Sequence, residues 1–137
     1  MKICAWIIVL SGALFLAGCA ARLPEEELRL TRERMGEYHI NHVMTQGEMT
    51  ILSGMMLQLA QMERYLIEYR IWNQPGYDKI EKAYRKDRDE WERKAEAEAE
   101  KTSPYEGGSL APCERNLRMV YFEQKRINEL KAKWRKP

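Results

Sequence analysis

The feature that most constrains the fold is the apolar pattern between Thr45 and Asn73. Apolar residues recur there at intervals of three and four, the spacing of an α-helix with an apolar side. They are Ile51, Leu52, Met55, Met56, Leu59, Met62, Leu66 and Ile67. Thr45 and Glu48 have the spacing of a capping box, and the run Asn73-Gln74-Pro75-Gly76 ends the pattern. The sequence therefore predicts a long central helix.

Three further segments are predicted to be helical. One begins at Pro24, a favoured first helical position, and continues with the acidic residues 25–27. Another runs from about Asp78 to Lys101, and its Glu-rich second half has little to bury. The last follows a Pro- and Gly-rich loop at 102–112, and its apolar residues are Leu117, Val120, Tyr121, Ile127, Leu130 and Trp134. Four segments with short connections predict an all-α antiparallel bundle of about four helices.

A short apolar leader precedes these helices. Lys2 is followed by an apolar run from Ile3 to Ala17, about 15 residues long. A helix needs roughly 20 residues to cross the hydrocarbon core of a bilayer. The leader is therefore typical of a cleaved secretory signal and not of a permanent membrane span.

The leader ends in Leu16-Ala17-Gly18-Cys19, which resembles the lipobox of bacterial lipoproteins. The resemblance implies a signal peptide at 1–18 and a lipid on the Cys19 thiol, with acyl chains that anchor the protein to a membrane. Ala20, in place of Asp, implies an outer-membrane location facing the periplasm. In a host with one membrane, the protein is expected on its outer face. We expect a tether and first helix at 19–44 and a helical domain at 45–137.

Charge and cysteine content narrow the possible partners. The net charge is +2, and loss of Lys2 leaves 22 basic and 21 acidic residues, so nothing indicates nucleic-acid binding. Of three cysteines, Cys4 leaves with the leader and Cys19 carries lipid. Cys113 then has no internal disulfide partner, and it is expected to be a small buried residue or, alternatively, an exposed or intermolecular thiol.

The residue patterns predict neither catalysis nor a bound cofactor. Gly107 and Gly108 do not belong to a phosphate loop, and no serine has a histidine in a recognisable triad pattern. His39 and His42 would share a helix face and begin a metal site, but surface histidines without a ligand role are the preferred interpretation. The methionines of the central helix are predicted to fill the core, with soft copper as the alternative ligand.

Several segments resemble the LprI-like family of bacterial lysozyme inhibitors. The sharpest is 105–112, Tyr-Glu-Gly-Gly-Ser-Leu-Ala-Pro, followed by Arg126 and then Glu129-Leu130. The segment 45–50 is similar to the start of a long helix in the family, and 86–94 around Trp91 is similar to its Gln-Arg-x-Trp segment. The paired cysteines of the family are absent, since Leu52 and Arg118 stand at the expected positions.

The resemblance implies a helical protein that protects peptidoglycan by inhibiting lysozyme. A protruding loop is suited to occupying an enzyme cleft. The predicted partner-binding residues are Tyr105, Glu106, Gly107, Gly108 and Ser109. The other interpretation of this loop is a plain connection between helices. We therefore expect an envelope binding protein that inhibits lysozyme or, alternatively, a structural or accessory lipoprotein that docks on a membrane complex.

Overall fold

The computed structural model describes residues 24–41 and 44–135, with the backbone alone for 39–41. The described residues form four helices and no strand, which confirms the predicted all-α bundle. The helices are α1 (Pro24–Asn41), α2 (Gln46–Trp72), α3 (Tyr77–Ala99) and α4 (Ala111–Lys133). The predicted signal peptide and Cys19 lie outside the described residues.

The contacts of α1 establish its direction. Arg70, near the end of α2, donates to Glu25 at the start of α1 over 2.7 Å. Further along, Arg32 of α1 lies 3.7 Å from Glu63 of α2. Residue numbers therefore rise along one helix as they fall along the other, so α1 and α2 are antiparallel.

Helices α2 and α4 are parallel and form the centre of the bundle. The side-chain amide of Asn116 donates to the Ser53 hydroxyl over 3.2 Å, and that of Gln74, just after α2, donates to the Trp134 carbonyl over 3.0 Å. Because α1 and α3 each run opposite to this pair, the chain has the up-down-up-down order of a four-helix bundle. The structure thus has α2 and α4 packed side by side, with α1 against α2 and α3 against α4.

The apolar core is small and lies towards the end of α2. Its fully buried members are Ile67, Ile71, Tyr84, Ile127 and Leu130. The Tyr84 ring meets the Trp134 ring edge-on, with ring centres 5.5 Å apart. Burial raises the pKa of the Tyr84 hydroxyl, so this group remains neutral within the core. Aromatic and aliphatic packing therefore joins α2, α3 and α4 at this level.

Next to this core, the helices meet through buried charges. Arg64 of α2 lies 3.0 Å from Glu68 on the same helix and 2.7 Å from Glu123 of α4. Both carboxylates are almost fully buried. Burial raises the pKa of the Glu123 carboxyl despite the opposing effect of the Arg64 cation. One guanidinium thus balances two buried acids between α2 and α4.

The bundle has two distinct ends. At the Glu25 end, the start of α1 meets Arg70 and Arg135, which lies 2.8 Å from Glu25. At the Thr45 end lie the start of α2 and the loop that joins α3 to α4, since Gln46 and Tyr105 line a common depression. The 27 residues of α2 separate the two ends. At 1.5 Å per residue this distance is about 40 Å.

Two local predictions require correction. Ala111 and Pro112, predicted to be loop, form the first turn of α4, because proline is compatible with the first positions of a helix. Met55 and Met62, predicted to fill the core, are 49% and 54% exposed. Because α2 is apolar on nearly all sides, its periodicity did not indicate which side faces inward.

Candidate functional site

The loop at 102–110 contains the predicted partner-binding residues. The structure leaves all of them exposed: Tyr105, Glu106, Gly107, Gly108 and Ser109. Ser103 is only 3% exposed and forms hydrogen bonds within the loop. Its hydroxyl accepts from the Tyr105 N–H over 3.1 Å, and its carbonyl accepts from the Glu106 N–H over 3.0 Å. The exposed residues therefore sit on a loop held by short-range hydrogen bonds.

Both glycines of the loop are needed for its shape. Gly107 has a φ of 77°, in the left-handed region that other residues seldom adopt. The Gly108 N–H donates to the Tyr105 carbonyl over 2.8 Å. A Cβ at Gly108 would lie 3.0 Å from that same carbonyl oxygen. The glycine pair thus allows the tight turn.

Contacts with α4 hold the ends of the loop. The Arg118 guanidinium donates to the Lys101 carbonyl over 3.0 Å, and it lies 3.8 Å from Glu98 at the end of α3. At the tip, Glu106 lies 3.8 Å from the exposed Arg115. Hydrogen bonding and ion pairing at Arg118 thus connect the loop to both flanking helices.

The Tyr105 ring is 51% exposed. It lines a depression of about 300 Å³ together with Gln46 and Ser109. It also lines a neighbouring depression of about 410 Å³ with Cys113 and Leu117. Tyr105 is thus shared by two adjoining depressions, so a partner that fills either of them contacts its side chain.

A second cluster, between α3 and α4, was not predicted as a site. Asp87 of α3 accepts from Arg126 over 2.7 Å, from Lys133 over 2.7 Å and from the Trp134 indole over 3.1 Å. Burial alone would raise the pKa of Asp87, but these donors outweigh it and hold the pKa below its usual range. Asp87 is therefore a charged link between the two helices.

Trp91 extends this cluster. Its ring stacks on Phe122 with centres 5.8 Å apart, and the guanidinium carbons of Arg64 and Arg126 lie 4.6 Å and 5.5 Å from the ring centre. The adjoining cavity, which Glu129 also lines, measures about 120 Å³. Ligand sites for small molecules usually span roughly 300–1,000 Å³. This cluster is accordingly a helix–helix contact, although Nε and Nη2 of the buried Arg126 have no hydrogen-bond partner in it.

The second cluster brings together residues that the family resemblance had named separately. Trp91 belongs to the segment 86–94, whereas Arg126 and Glu129 belong to the last segment. Their separation in sequence gave no indication that they meet. The sequence indicated only that Trp91, Arg126 and Glu129 belong to segments with the family resemblance. It did not indicate that these segments are in contact.

The metal and thiol predictions have different outcomes. Among the described residues, no group of three His, Cys, Asp or Glu side chains is placed to hold a metal ion. His42 and the His39 side chain lie outside what is described. Cys113 is buried, as the sequence predicted for a small apolar residue.

The comparisons with known proteins do not assign this chain. No family model matches it, and no match was found among curated proteins or solved structures. Within the part of the chain that the structure describes, no helix is both long and apolar enough to span a membrane. The site is therefore interpreted from its own geometry.

Proposed function

We propose that this chain is a lipid-anchored cell-envelope binding protein whose loop Tyr105–Ser109 contacts a partner protein. The lipobox resemblance at 16–19 supports the anchor on Cys19. The observation that carries the binding role is the exposure of Tyr105 to Ser109 on a loop supported by buried Ser103. A loop that is already shaped loses less conformational freedom when it binds.

The positions of the two bundle ends also support this proposal. Pro24 begins α1 at the Glu25 end, five residues after Cys19. Five extended residues reach at most about 17 Å. A lipid on Cys19 would thus hold the Glu25 end near the bilayer, while the loop lies at the Thr45 end of the bundle. Such a protein would present its loop to a partner in the periplasm, with the outer membrane as the proposed location.

We propose a lysozyme as the partner, following the LprI-like resemblance. Glycoside hydrolysis requires two carboxyl groups to reach the scissile bond, so an inserted loop blocks it. Tyr105 supplies a flat ring that can stack in a sugar-binding cleft, and Gly107 and Gly108 permit close backbone approach. The near-zero charge of the chain provides no long-range steering, so contact complementarity must supply the affinity. This kind of inhibition requires no catalytic residue or cofactor.

The test measures lysis of cell-wall substrate by several lysozyme types in the presence of residues 20–137. We expect inhibition of at least one type, and we expect Tyr105→Ala to weaken it by about tenfold or more, as for a central aromatic contact. Tyr121→Ala is the matched control, because Tyr121 is 75% exposed on α4 and is absent from the loop. Unchanged lysis at micromolar protein for every lysozyme type would reject the inhibitor role.

A structural or accessory role in the envelope is the second candidate. Exposed apolar residues along α2, including Ile51 and Tyr69, favour a docking function. In that case, cross-linking in envelopes would capture a stable membrane complex, and loop substitutions would not reduce its yield. Inhibition that depends on Tyr105 would favour the first candidate.

A further inference from the structure

An exposed stripe runs along the whole of α2. Its members follow one another at alternating steps of four and three residues, the heptad spacing of a coiled-coil seam. We call this set the α2 stripe: Ile51, Met55, Gln58, Met62, Tyr65 and Tyr69. Its apolar members are between 49% and 67% exposed. An apolar seam of this length is unusual on a surface that remains in water.

The α2 stripe is also poor in charge. No charged residue occurs from Met49 to Met62, although 32% of the chain is charged. A helix that faces solvent normally carries charged residues on its outer side, and one that is apolar all round is covered on all sides. Helices α1 and α4 cover most of the inner side of α2. The composition of its outer side indicates a further covering surface.

The residues beside the α2 stripe do not favour a lipid bilayer as that surface. Helices that lie on membranes use Lys and Arg to contact headgroups. The helix α2 has no lysine, and its two arginines form ion pairs within the bundle, Arg64 with Glu123 and Arg70 with Glu25. Alternating steps of three and four are instead the pattern that one helix presents to another.

We propose that the α2 stripe pairs with the α2 stripe of a second copy of this chain, parallel, about a two-fold axis that runs along the two helices. This register places each member of the stripe, such as Met55 or Met62, opposite the same residue of the other copy, as in a parallel coiled coil. The parallel direction rests on the proposed lipid anchor, because it puts the Glu25 ends of both copies at the same end of the dimer, where one bilayer can hold both lipids. The surface is complementary to itself, as a two-fold interface requires.

Two further features suit a second copy. Identical surfaces repel each other where they carry charge, and the segment from Met49 to Met62 carries none. A groove of about 690 Å³ lies beside Met62 and Tyr65, and its other lining residues are Gln58, Gln61, Arg64 and Leu66. Such a groove receives side chains of a facing helix in the manner of a knob and its hole.

Sedimentation velocity of residues 20–137, which contain all four described helices, tests the pairing across a range of protein concentrations. We expect a monomer–dimer equilibrium. Met62→Glu places two carboxylates near the axis and should weaken dimerisation by about tenfold or more, because a buried unpaired charge is costly. Tyr121→Glu, on the exposed part of α4, should leave dimerisation unchanged. Circular dichroism checks that both variants remain helical.

Cysteine cross-linking in a Cys113→Ala background tests the direction. Met55→Cys alone should give a disulfide-linked dimer under mild oxidation, because the two thiols face each other, whereas Tyr121→Cys on α4 should give little. Little cross-linking of Met55→Cys would overturn the parallel register. A chain that stays monomeric at every concentration would overturn the proposal, and so would a monomer that binds vesicles of neutral lipid through the stripe. None of these measurements depends on whether the chain inhibits lysozyme.

Discussion

The inner and outer faces of α2 differ in an unexpected way. The inner face carries Glu63, Arg64 and Glu68, whose charges pair across the bundle. The outer face carries the apolar α2 stripe and is uncharged over its first half. Buried ion pairs contribute little net stability but penalise misaligned packing, whereas apolar surface drives association. One face of α2 thus holds ion pairs within the bundle, whereas the other is exposed and, in the proposed dimer, pairs with a second copy.

The largest loss of stability is expected for Arg64→Met, a substitution on the inner face of α2. Removing this guanidinium leaves the Glu68 and Glu123 carboxylates buried without their shared cation. We expect a loss of about 3–5 kcal/mol in the free energy of unfolding, measured by urea denaturation. Replacing Glu68 and Glu123 by leucine in the same variant should restore most of the loss. No recovery would mean that packing of the Arg64 side chain, and not charge balance, was lost.

The stability loss from Arg64→Met can be compared with that from a substitution at a buried apolar residue of the same helix. Ile67 is fully buried in the core between α2 and α4. Ile67→Ala removes buried methyl groups and leaves a cavity, so we expect a loss of about 2–5 kcal/mol in the same assay. Unlike the effect of Arg64→Met, this loss should not change with salt. A strong salt dependence for Ile67→Ala would contradict the division into apolar and ionic contacts.

The link between α3 and α4 should show a pH dependence. The pKa of Asp87 is lower in the folded chain than in the unfolded chain. The stability that the ionised Asp87 side chain contributes is therefore fully present above its unfolded pKa. It is lost as the pH falls through its folded pKa. Asp87→Asn should cost about 1–3 kcal/mol near neutral pH, because charge-assisted hydrogen bonds are weakened. Urea denaturation below the unfolded Asp pKa should show a smaller difference between the two proteins.

The pKa of Glu123 has the opposite effect. The pKa of the Glu123 carboxyl is higher in the folded chain than in the unfolded chain. The free energy of unfolding therefore falls as the pH rises from the unfolded pKa through the folded pKa of this group. The stability profiles of the Asp87→Asn and wild-type chains should therefore be compared at matched pH, so that the Glu123 contribution cancels.

The smallest change in the free energy of unfolding is expected for a substitution on the outer face of α2. Met62→Gln changes a half-exposed residue that does not belong to the core cluster. At protein concentrations where the chain is monomeric, we expect a change within about 0.5 kcal/mol. Thermal unfolding followed by circular dichroism measures it. A loss comparable to that of Ile67→Ala would show that the outer face stabilises the monomer itself.

Helix existence and ends were largely predictable from local sequence. The capping box of Thr45 and Glu48 is present in the structure, and the Thr45 N–H donates to the Glu48 carboxylate over 2.7 Å. That hydrogen bond lowers the pKa of Glu48. Capping motifs and Pro–Gly turns act between near neighbours, so sequence alone reveals them. The exposed loop at 105–109 was predicted for the same reason.

Features that depend on packing were not predictable. The apolar residues of α2 surround the helix, so periodicity could not show that Met62 faces outward while Glu63 and Glu68 are buried. Likewise, no local signal indicated that Asp87 would meet Arg126 and Trp134. These arrangements arise when α4 packs between α2 and α3. The lipid on Cys19 remains a prediction.

The concentration dependence of thermal unfolding tests most directly whether the outer face of α2 is an interface. If two copies pair through the α2 stripe, the midpoint for residues 20–137 rises with protein concentration, since association stabilises the folded state. The same measurement on Met62→Glu should give a midpoint that changes little. A wild-type midpoint independent of concentration would contradict the division of α2 into an aligning face and a pairing face.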